Sequence, residues 1–397
     1  MSMVKYMNKN YITKIKLQAK EILGDLSVAL PSNTMTHLIV TGKNGSGKTT
    51  LLKYIKEYLE EKLDVPDGEN SEKVTSRDID LIFNEVSDTE TINNITINIE
   101  NSKGMIDSYK NGDFIVCYLD SLRTAEIEKA DGVEAITLKE NYGFKDKPYK
   151  ELLKYMIHLK TQQSFAKNEN DVEVEAAIAQ WFDRFSDVLK QLWDNDALDL
   201  KYDYRRYDFK IKEAGKQEYN FAQLSDGYSS ILRIFADIMM RMERNWLSRS
   251  NQINAYDLSG IVIIDEIETH LHIALQKNIL PSLIKLFPNV QFIVSTHSPY
   301  VLNSVDNAVI YDLENHVQYN DFSMYSADEI SESYFAAEQF SKCVGETIEE
   351  YKQLLQKKDA SEDEKAKRAK LRHKLKSLPR NIREELFDEF DKLEKRD

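Results

Sequence analysis

The segment from Gly42 to Thr49 constrains the fold more than any other part of the chain. It reads GKNGSGKT and lies between a short apolar run, His37 to Thr41, and a stretch with helical spacing from Thr49 to about Leu63. Glycines at these positions let backbone N–H groups and the start of a helix converge on an anion. The sequence of strand, glycine-rich loop and helix therefore predicts a phosphate-binding loop in an α/β fold.

Two residues of this loop have a specific use in nucleotide chemistry. We expect Lys48 to reach the β- and γ-phosphates and the hydroxyl of Thr49 to bind Mg²⁺. A glycine-rich turn without a ligand is the alternative, and the motifs further along the chain argue against it. The predicted nucleotide-binding residues of the loop are Asn44, Gly45, Ser46, Gly47, Lys48, Thr49 and Thr50.

Two later apolar runs end in residues suited to the same chemistry. The run from Ile261 to Ile264 is followed by Asp265, a candidate Mg²⁺ ligand, and Glu266, a candidate general base for an attacking water. The run from Val290 to Val294 leads to His297, a candidate contact for the γ-phosphate. A structural histidine is the alternative interpretation of His297.

The segment LSDGY, from Leu224 to Tyr228, precedes a predicted amphipathic helix from Ile231 to Trp246. Ser225, the N–H group of Gly227 and the helix N-terminus together form a candidate second anion site. An ordinary helix cap is the alternative.

The motifs GKNGSGKT, LSDGY, IVIIDE and STHSP follow one another in the order found in ABC-type ATPases, and the chain resembles that family. The resemblance implies a P-loop NTPase head that uses ATP and Mg²⁺. It also implies a homodimer, or a higher homo-oligomer, in which two heads enclose ATP. Catalysis would then fall to Lys48, Glu266 and His297 and metal binding to Thr49 and Asp265, with Ser225 and Gly227 acting on the ATP of the other subunit.

Apolar periodicity divides the chain into four segments. Strand patterns at Tyr11 to Leu17, Glu21 to Leu30, Asp78 to Phe83, Ile92 to Ile99 and Phe114 to Leu119 predict a β-rich subdomain. Helical spacing from Lys147 to Asp194 predicts an insertion whose aromatic stripe packs in a core rather than stacking on nucleobases. The predicted parts are 1–144 and 198–320 for the ATPase head, 145–197 for the helical insertion, and 321–397 for a helical, partly basic tail. The expected class is α/β with a mixed sheet.

The stretch DEIETHLH, from Asp265 to His272, together with STHSP is similar to RecF- and OLD-related bacterial AAA-type ATPases. Such proteins are the ATPase subunits of the anti-phage systems Septu and PARIS and of retron-associated systems, and others act in DNA repair. The resemblance implies an ATPase that senses infection and regulates a separate companion effector, expected to be a nuclease. A RecF/SMC-like repair ATPase that binds DNA directly is the alternative. Asp226 and Tyr228, where transporter ATPases have glycine and glutamine, argue against a transporter.

Two further sets of residues leave alternatives open. Arg123 follows an apolar strand where these families place their Q-loop, and it is a candidate contact for the nucleotide or for the other head. No convincing Q-loop glutamine is found. His270 and His272 form a dimer contact or pack locally, with a metal pair as the less favoured interpretation.

Charge and composition limit the partners. The net charge of −14 and a pI near 5.2 argue against a surface that binds nucleic acid throughout, so any nucleic-acid contact must be regional. The run from Lys365 to Arg383 is basic and contains no acid, which suits nucleic acid, an acidic partner or a solvated helix equally well. Two distant cysteines support neither a disulfide nor a zinc site. No apolar run approaches the roughly 18 residues of a membrane span, so we expect a cytoplasmic protein without membrane contact.

Overall fold

A computed structural model describes residues 10–18, 23–63, 91–92, 95–123, 125–243, 257–320, 342–355 and 361–375, with isolated positions between 322 and 330. The chain forms two compact units, Met1–Met324 and Tyr325–Asp397. The strand predicted at 78–83 and the part of the predicted tail after residue 375 lie outside the described residues.

The first strands of the chain build a four-stranded antiparallel sheet. Its members are β1 (Ile12–Gln18), β2 (Asp25–Ala29), β4 (Thr91–Ile92) and β5 (Ile95–Ile99), in the order β2-β1-β5-β4. The predicted strand from Ile92 to Ile99 is therefore two strands that pair with each other. The inward-facing residues of β1, β2 and β5 pack with helix α1 (Lys48–Lys62) in one apolar cluster. The hydroxyl of Tyr58 in α1 donates to the carbonyl of Ile97 at 3.0 Å, which fixes the helix against this sheet.

A six-stranded sheet forms the centre of the first unit. It consists of β3 (His37–Thr41), β6 (Phe114–Leu119), β10 (Ser259–Ile264), β11 (Val290–Ser295), β12 (Ala308–Asp312) and β13 (Val317–Tyr319). The order is β13-β12-β3-β11-β10-β6, with only β13 antiparallel to its neighbour. The predicted α/β class with a mixed sheet is confirmed. Because parallel strands end at one edge, the loops after β3, β10 and β11 meet there.

The strand β6 corrects the prediction that Phe114 to Leu119 belongs to a β-rich subdomain. It pairs with β10 at the margin of the central sheet. Its sequence FIVCYL is apolar without alternation, and nearly every residue in it is buried. Such a run is typical of a parallel strand covered on both faces, whereas β1, β2 and β5 alternate between buried and less buried residues.

Two long helices follow, α3 (Leu152–Glu169) and α4 (Val172–Trp193), after the short α2 (Ser102–Lys110) that the sequence did not predict. Trp181 is 1% exposed and stacks on Phe185 with ring centroids 5.3 Å apart. The core-packing interpretation of the aromatic stripe is confirmed. A small antiparallel sheet of β7 (Asp199–Asp203), β8 (Asp208–Lys212) and β9 (Tyr219–Asn220) comes next in the chain.

Helix α5 (Asp226–Met242) begins five residues earlier than predicted, directly after Ser225. The predicted amphipathic helix is present, but every residue from Ser229 to Met242 is buried, so the helix has no solvent-exposed side over that stretch. The charged side chains in this buried stretch bind other groups inside the protein. Arg241 donates from Nε to Asp237 at 2.8 Å, one helical turn away, and its remaining N–H groups bind backbone carbonyls.

Both ends of α5 contact the helix pair α3 and α4. At its start, the ring of Tyr228 stacks on Trp193, the last residue of α4, with centroids 5.1 Å apart. At its end, the buried carboxyl of Glu243 accepts hydrogen bonds from Trp181 Nε1 at 2.6 Å and from the hydroxyl of Tyr155 at 3.0 Å. The helix pair and α5 are thus joined at two separate points.

Helices α6 (Ile273–Leu286) and α7 (Pro299–Leu302) follow β10 and β11 in the chain. The second unit contains α8 (Lys342–Leu355) and α9 (Glu362–Leu375). Ser361 and Glu364 exchange side-chain and backbone hydrogen bonds at the start of α9, in the manner of a capping box. Lys367 forms an ion pair with Glu350 of α8. Across the residues that the structure describes in both units, no helix combines the length and apolarity needed to cross a bilayer.

Candidate functional site

The predicted phosphate loop connects β3 to α1 and depends on its glycines. Gly42 has φ of 137° and Gly47, the residue before α1, has φ of 95°, conformations that residues with a Cβ rarely adopt. A Cβ on Gly42 would also lie 2.9 Å from Ser46 Oγ. Helix geometry leaves the first N–H groups of α1 without an intrahelical acceptor, so they are available to an anion.

Lys48 folds back over this loop. Its Nζ donates to the carbonyls of Gly42 at 3.0 Å and Lys43 at 3.1 Å. Burial lowers the pKa of Lys48, while Glu266 and Asp265 oppose that shift. The hydroxyl of Ser46, in the same loop, is buried without a hydrogen-bond partner. The centre of the loop thus contains the ammonium group of Lys48 and the hydroxyl of Ser46, a hydrogen-bond donor without an acceptor.

Asp265 lies just after β10, is 2% exposed, and has a partner on each side-chain oxygen. Oδ2 accepts from Thr49 Oγ1 at 2.7 Å, and Oδ1 accepts from Ser295 Oγ at 2.5 Å. The structure therefore brings the two predicted metal ligands, one from α1 and one from the end of β10, into direct contact. Sequence reasoning missed Ser295, whose only signal was its place at the end of the strand before His297.

Glu266 has an unusual backbone conformation, with φ of 47°. A non-glycine residue in this left-handed region persists only where surrounding contacts hold it. Its N–H group donates to Ser295 Oγ at 2.7 Å, and its carbonyl accepts from Arg123 Nη2 at 2.6 Å. One side-chain oxygen accepts from Thr269 Oγ1 at 3.3 Å. The candidate base is thus held by both its backbone and its carboxylate.

Arg123 is fully buried, which corrects the prediction that it contacts the nucleotide or another head. Its Nη1 donates to the carbonyls of Asp120 and Asp265, and its Nε donates to Ser230 Oγ at 3.3 Å. Burial, then the nearby Arg233, lowers the pKa of Arg123 to about 10, so the guanidinium remains charged at neutral pH. Groups of the protein itself, and not a ligand, accept the hydrogen bonds of Arg123.

His297 follows β11, and a carboxylate fixes its backbone. Glu268 Oε1 accepts from the N–H group of His297 at 2.5 Å, and Oε2 accepts from Thr296 Oγ1 at 2.7 Å. The Nε2 atom of His297 is buried and has no hydrogen-bond partner. Burial and, next, the charge of Lys48 lower the pKa of His297, which favours the neutral imidazole. Sequence reasoning missed Glu268, although its spacing from Glu266 was visible in DEIE.

Ser225 and Gly227 lie at the start of α5, apart in sequence from the loops after β3, β10 and β11. Ser225 is exposed, and its side chain makes no capping hydrogen bond. The helix-cap interpretation of its hydroxyl is therefore not supported. Gly227 packs against the backbone of His270, since a Cβ there would lie 2.8 Å from the His270 carbonyl oxygen.

His270 and His272 are both exposed, and His272 is the residue before α6 (Ile273–Leu286). Within the part of the chain that the structure describes, no group of three or more His, Cys, Asp or Glu side chains could hold a metal ion. The metal-pair interpretation of the two histidines gains no support.

The residues at the sheet edge fit a nucleotide with Mg²⁺. Thr49 and Asp265 offer a hydroxyl and a carboxylate oxygen, the hard donors that Mg²⁺ prefers when phosphates and water complete its shell. The buried, unpartnered Ser46 Oγ and His297 Nε2 are polar atoms that a phosphate oxygen would satisfy. Asn44, Gly45 and Thr50 lie in or beside the same loop and are exposed or half-buried.

The chain is similar to one protein family, to named relatives and to solved structures. A family model described as "AAA domain, putative AbiEii toxin, Type IV TA system" matches residues 38–303. The "Retron Ec83 probable ATPase" of Escherichia coli is 48% identical over 93 residues, which are 23% of this chain and 17% of that protein. The Septu protein PtuA of Bacillus mycoides (strain KBAB4) is 42% identical over 93 residues, 23% of this chain and 12% of that protein. The match thus spans less than a fifth of either relative. A solved Smc head bound to the C-winged helix domain of ScpA covers 78% of this chain and 96% of its own, at 14% identity and a TM-score of 0.40.

Proposed function

The chain belongs to the AAA-domain family whose model spans residues 38–303, and we propose that it is a Mg²⁺-dependent ATPase that regulates a separate effector in anti-phage defence. The observation that carries the ATPase proposal is the 2.7 Å hydrogen bond between Thr49 and Asp265. It joins the phosphate loop to the acidic end of β10, as a shared metal site requires.

In this proposal each residue at the sheet edge has one task. The N–H groups of the loop and Lys48 bind the phosphates of ATP, and Thr49 with Asp265 would hold Mg²⁺. When bound, Mg²⁺ supplies positive charge that offsets the charge of the β- and γ-phosphates. Glu266 accepts a proton from the attacking water, since its carboxylate is adjacent to the metal-site acid without sharing that role. The neutral His297 binds the γ-phosphate through Nε2.

We propose that Ser225 and Gly227 act on the ATP of a second copy of the chain. The support is that the Ser225 hydroxyl is exposed and unused in capping, at a helix N-terminus that favours anions. ATP would then hold two heads together, and its hydrolysis would release them. Formation of the dimer would then depend on bound ATP.

The role in defence rests on the named relatives, a retron ATPase and a Septu protein. We propose that a separate protein, expected to be a nuclease, carries the toxic activity and that the ATPase controls it.

Three variants test the ATPase and the dimer together. Glu266→Gln should retain ATP and lower kcat by at least about 100-fold, because general-base catalysis is worth that much or more. Lys48→Ala should lose ATP binding, whereas Lys53→Ala, which changes an exposed lysine of α1, should not. Light scattering with ATP should show a dimer that is longest-lived in Glu266→Gln. Unchanged turnover in Glu266→Gln would remove Glu266 as the base, and a monomer under every condition would remove the dimer.

Direct DNA binding is a second candidate function, favoured by helix α9. Lys365, Lys367 and Lys370 of that helix are exposed in a chain of net charge −14. Phosphate contacts would make binding weaken steeply with salt. DNA affinity that falls when these lysines are changed to glutamine would support this function, and indifference to DNA with and without ATP would exclude it.

A further inference from the structure

Arg123 contacts the two acidic residues of the candidate site through their backbones alone. Its guanidinium donates to the carbonyls of Asp265 and Glu266, while neither carboxylate accepts a hydrogen bond from it. It is 0% exposed and therefore does not reach a ligand in the solvent. We propose that Arg123 is a positioning residue that holds the Glu266 peptide in the orientation needed for hydrolysis.

The conformation of Glu266 explains why such a contact is needed. With φ of 47°, the residue turns its N–H group toward Ser295 Oγ, at 2.7 Å. Its carbonyl accepts from Arg123 Nη2, at 2.6 Å, and from the N–H group of Thr269 in the following turn, at 2.9 Å. A glutamate in this left-handed conformation relaxes to an ordinary one unless surrounding contacts hold its backbone. Such a relaxation would redirect the carboxylate, and small misplacements of a catalytic group cost large factors in rate.

Arg123 itself is held by the chain on three sides. Nη1 also donates to the Asp120 carbonyl at 2.8 Å, and Nε donates to the fully buried Ser230 Oγ at 3.3 Å. Ser230 belongs to α5, the helix that begins directly after Ser225. The guanidinium therefore connects the first turns of α5 to the backbone of Glu266, and the planar fork of an arginine suits several carbonyls where a lysine would not.

A second buried arginine provides a matched control. Arg233 is 6% exposed and donates from Nη1 to the carbonyl of Leu122 at 2.7 Å, in the same loop after β6. It also lies 3.6 Å from the Asp120 carboxylate. Among the residues that the structure describes, Arg233 makes no hydrogen bond to Asp265 or Glu266. Its replacement disturbs the same loop without releasing the Glu266 peptide.

The inference rests on the proposed ATPase function, and the experiment separates the two. The variants are Arg123→Gln, Arg123→Lys and Arg233→Gln, each as the full chain, with folded fraction checked by circular dichroism. We expect both Arg123 variants to lower kcat by about 100-fold while the Kd for ATP stays near the wild-type value, since the phosphate loop is untouched. Arg233→Gln should keep its kcat. Equal losses in Arg123 and Arg233 variants, or a loss of ATP affinity that parallels the loss of kcat, would overturn the proposal.

A crystal structure of Arg123→Lys supplies a measurement that does not depend on turnover. We expect Glu266 to leave the left-handed region and its carbonyl to turn away from residue 123. An unchanged φ near 47° would overturn the proposal even if kcat falls. If the wild-type protein hydrolyses no ATP, the proposed function fails, yet this structural outcome still decides whether Arg123 holds Glu266. A double variant with Glu266→Gln completes the test, because a residue that acts through Glu266 adds no further loss once Glu266 is gone.

Discussion

The buried carboxyl of Glu243 makes stability depend on pH in a direction that can be calculated. Glu243 is 1% exposed, and burial raises its pKa from 4.5 to about 7, although hydrogen bonds from Trp181 and Tyr155 favour the ionised form and oppose the shift. The Glu243→Gln variant removes the titration. It keeps an acceptor for Trp181 and a polar partner for the Tyr155 hydroxyl, so the packing is preserved.

The direction of the pH effect on stability follows from the pH at which Glu243 loses its proton in the unfolded and in the folded chain. The unfolded chain loses this proton near pH 4.5 and the folded chain near pH 7, so the group's contribution is fully present below pH 4.5 and is lost as the pH rises through 7. The whole shift corresponds to about 3 kcal/mol of unfolding free energy, of which about 1.4 kcal/mol is lost between pH 6 and pH 8.5. That interval avoids the pI near 5.2, where the protein carries least charge.

Urea denaturation of both proteins at several pH values from 6 to 8.5 measures this difference. The unfolding free energy of the wild type should fall relative to Glu243→Gln by about 1.4 kcal/mol across the interval, and the variant should be the more stable protein at pH 8.5. All other titrating groups are shared and cancel in the comparison. Parallel pH profiles for the two proteins would refute the reasoning, because they would mean that Glu243 is already ionised in the folded state at pH 6.

Three further predictions concern the site. Gly227→Ala should destabilise the start of α5 and lower ATPase activity, since the added Cβ would lie 2.8 Å from the His270 carbonyl oxygen; a thermal melt and a phosphate-release assay check this. Glu268→Ala should lower kcat by about 10-fold to 100-fold with little change in Kd for ATP, because the backbone of His297 loses its acceptor; pre-steady-state kinetics separate the two quantities. Ser295→Ala removes a hydrogen bond from each of the two acids after β10, and should raise the Mg²⁺ concentration needed for half-maximal ATPase rate.

The sequence predicted the elements whose pattern is local. The phosphate loop, β3, β10 and β11 were found at or within two residues of their observed bounds, because glycines with positive φ and unbroken apolar runs leave few alternatives. The acids Asp265 and Glu266 were located because they directly follow one of these runs.

What the sequence missed depends on contacts between distant residues. The sequence FIVCYL does not indicate that β6 pairs with β10, which lies more than a hundred residues further along the chain. The proposed role of Arg123 depends on the backbone carbonyl groups of Asp265 and Glu266. Every residue has such a group, so the sequence does not indicate which ones Arg123 contacts. The burial of Arg241 in α5 could not be predicted from the sequence, because the carbonyl groups that accept its hydrogen bonds belong to other segments. Such contacts form only in the folded protein and cannot be predicted from the spacing of apolar residues in the sequence.

The two attachments of α5 have a mechanical consequence. The stack of Tyr228 on Trp193 and the buried hydrogen bonds of Glu243 fasten the helix near each end to the same pair of helices. Because α5 is attached to these helices near both of its ends, a displacement of the α3–α4 pair would shift α5 with it. Ser225 and Gly227, at the start of α5, would then change position even though the displacement begins on other helices.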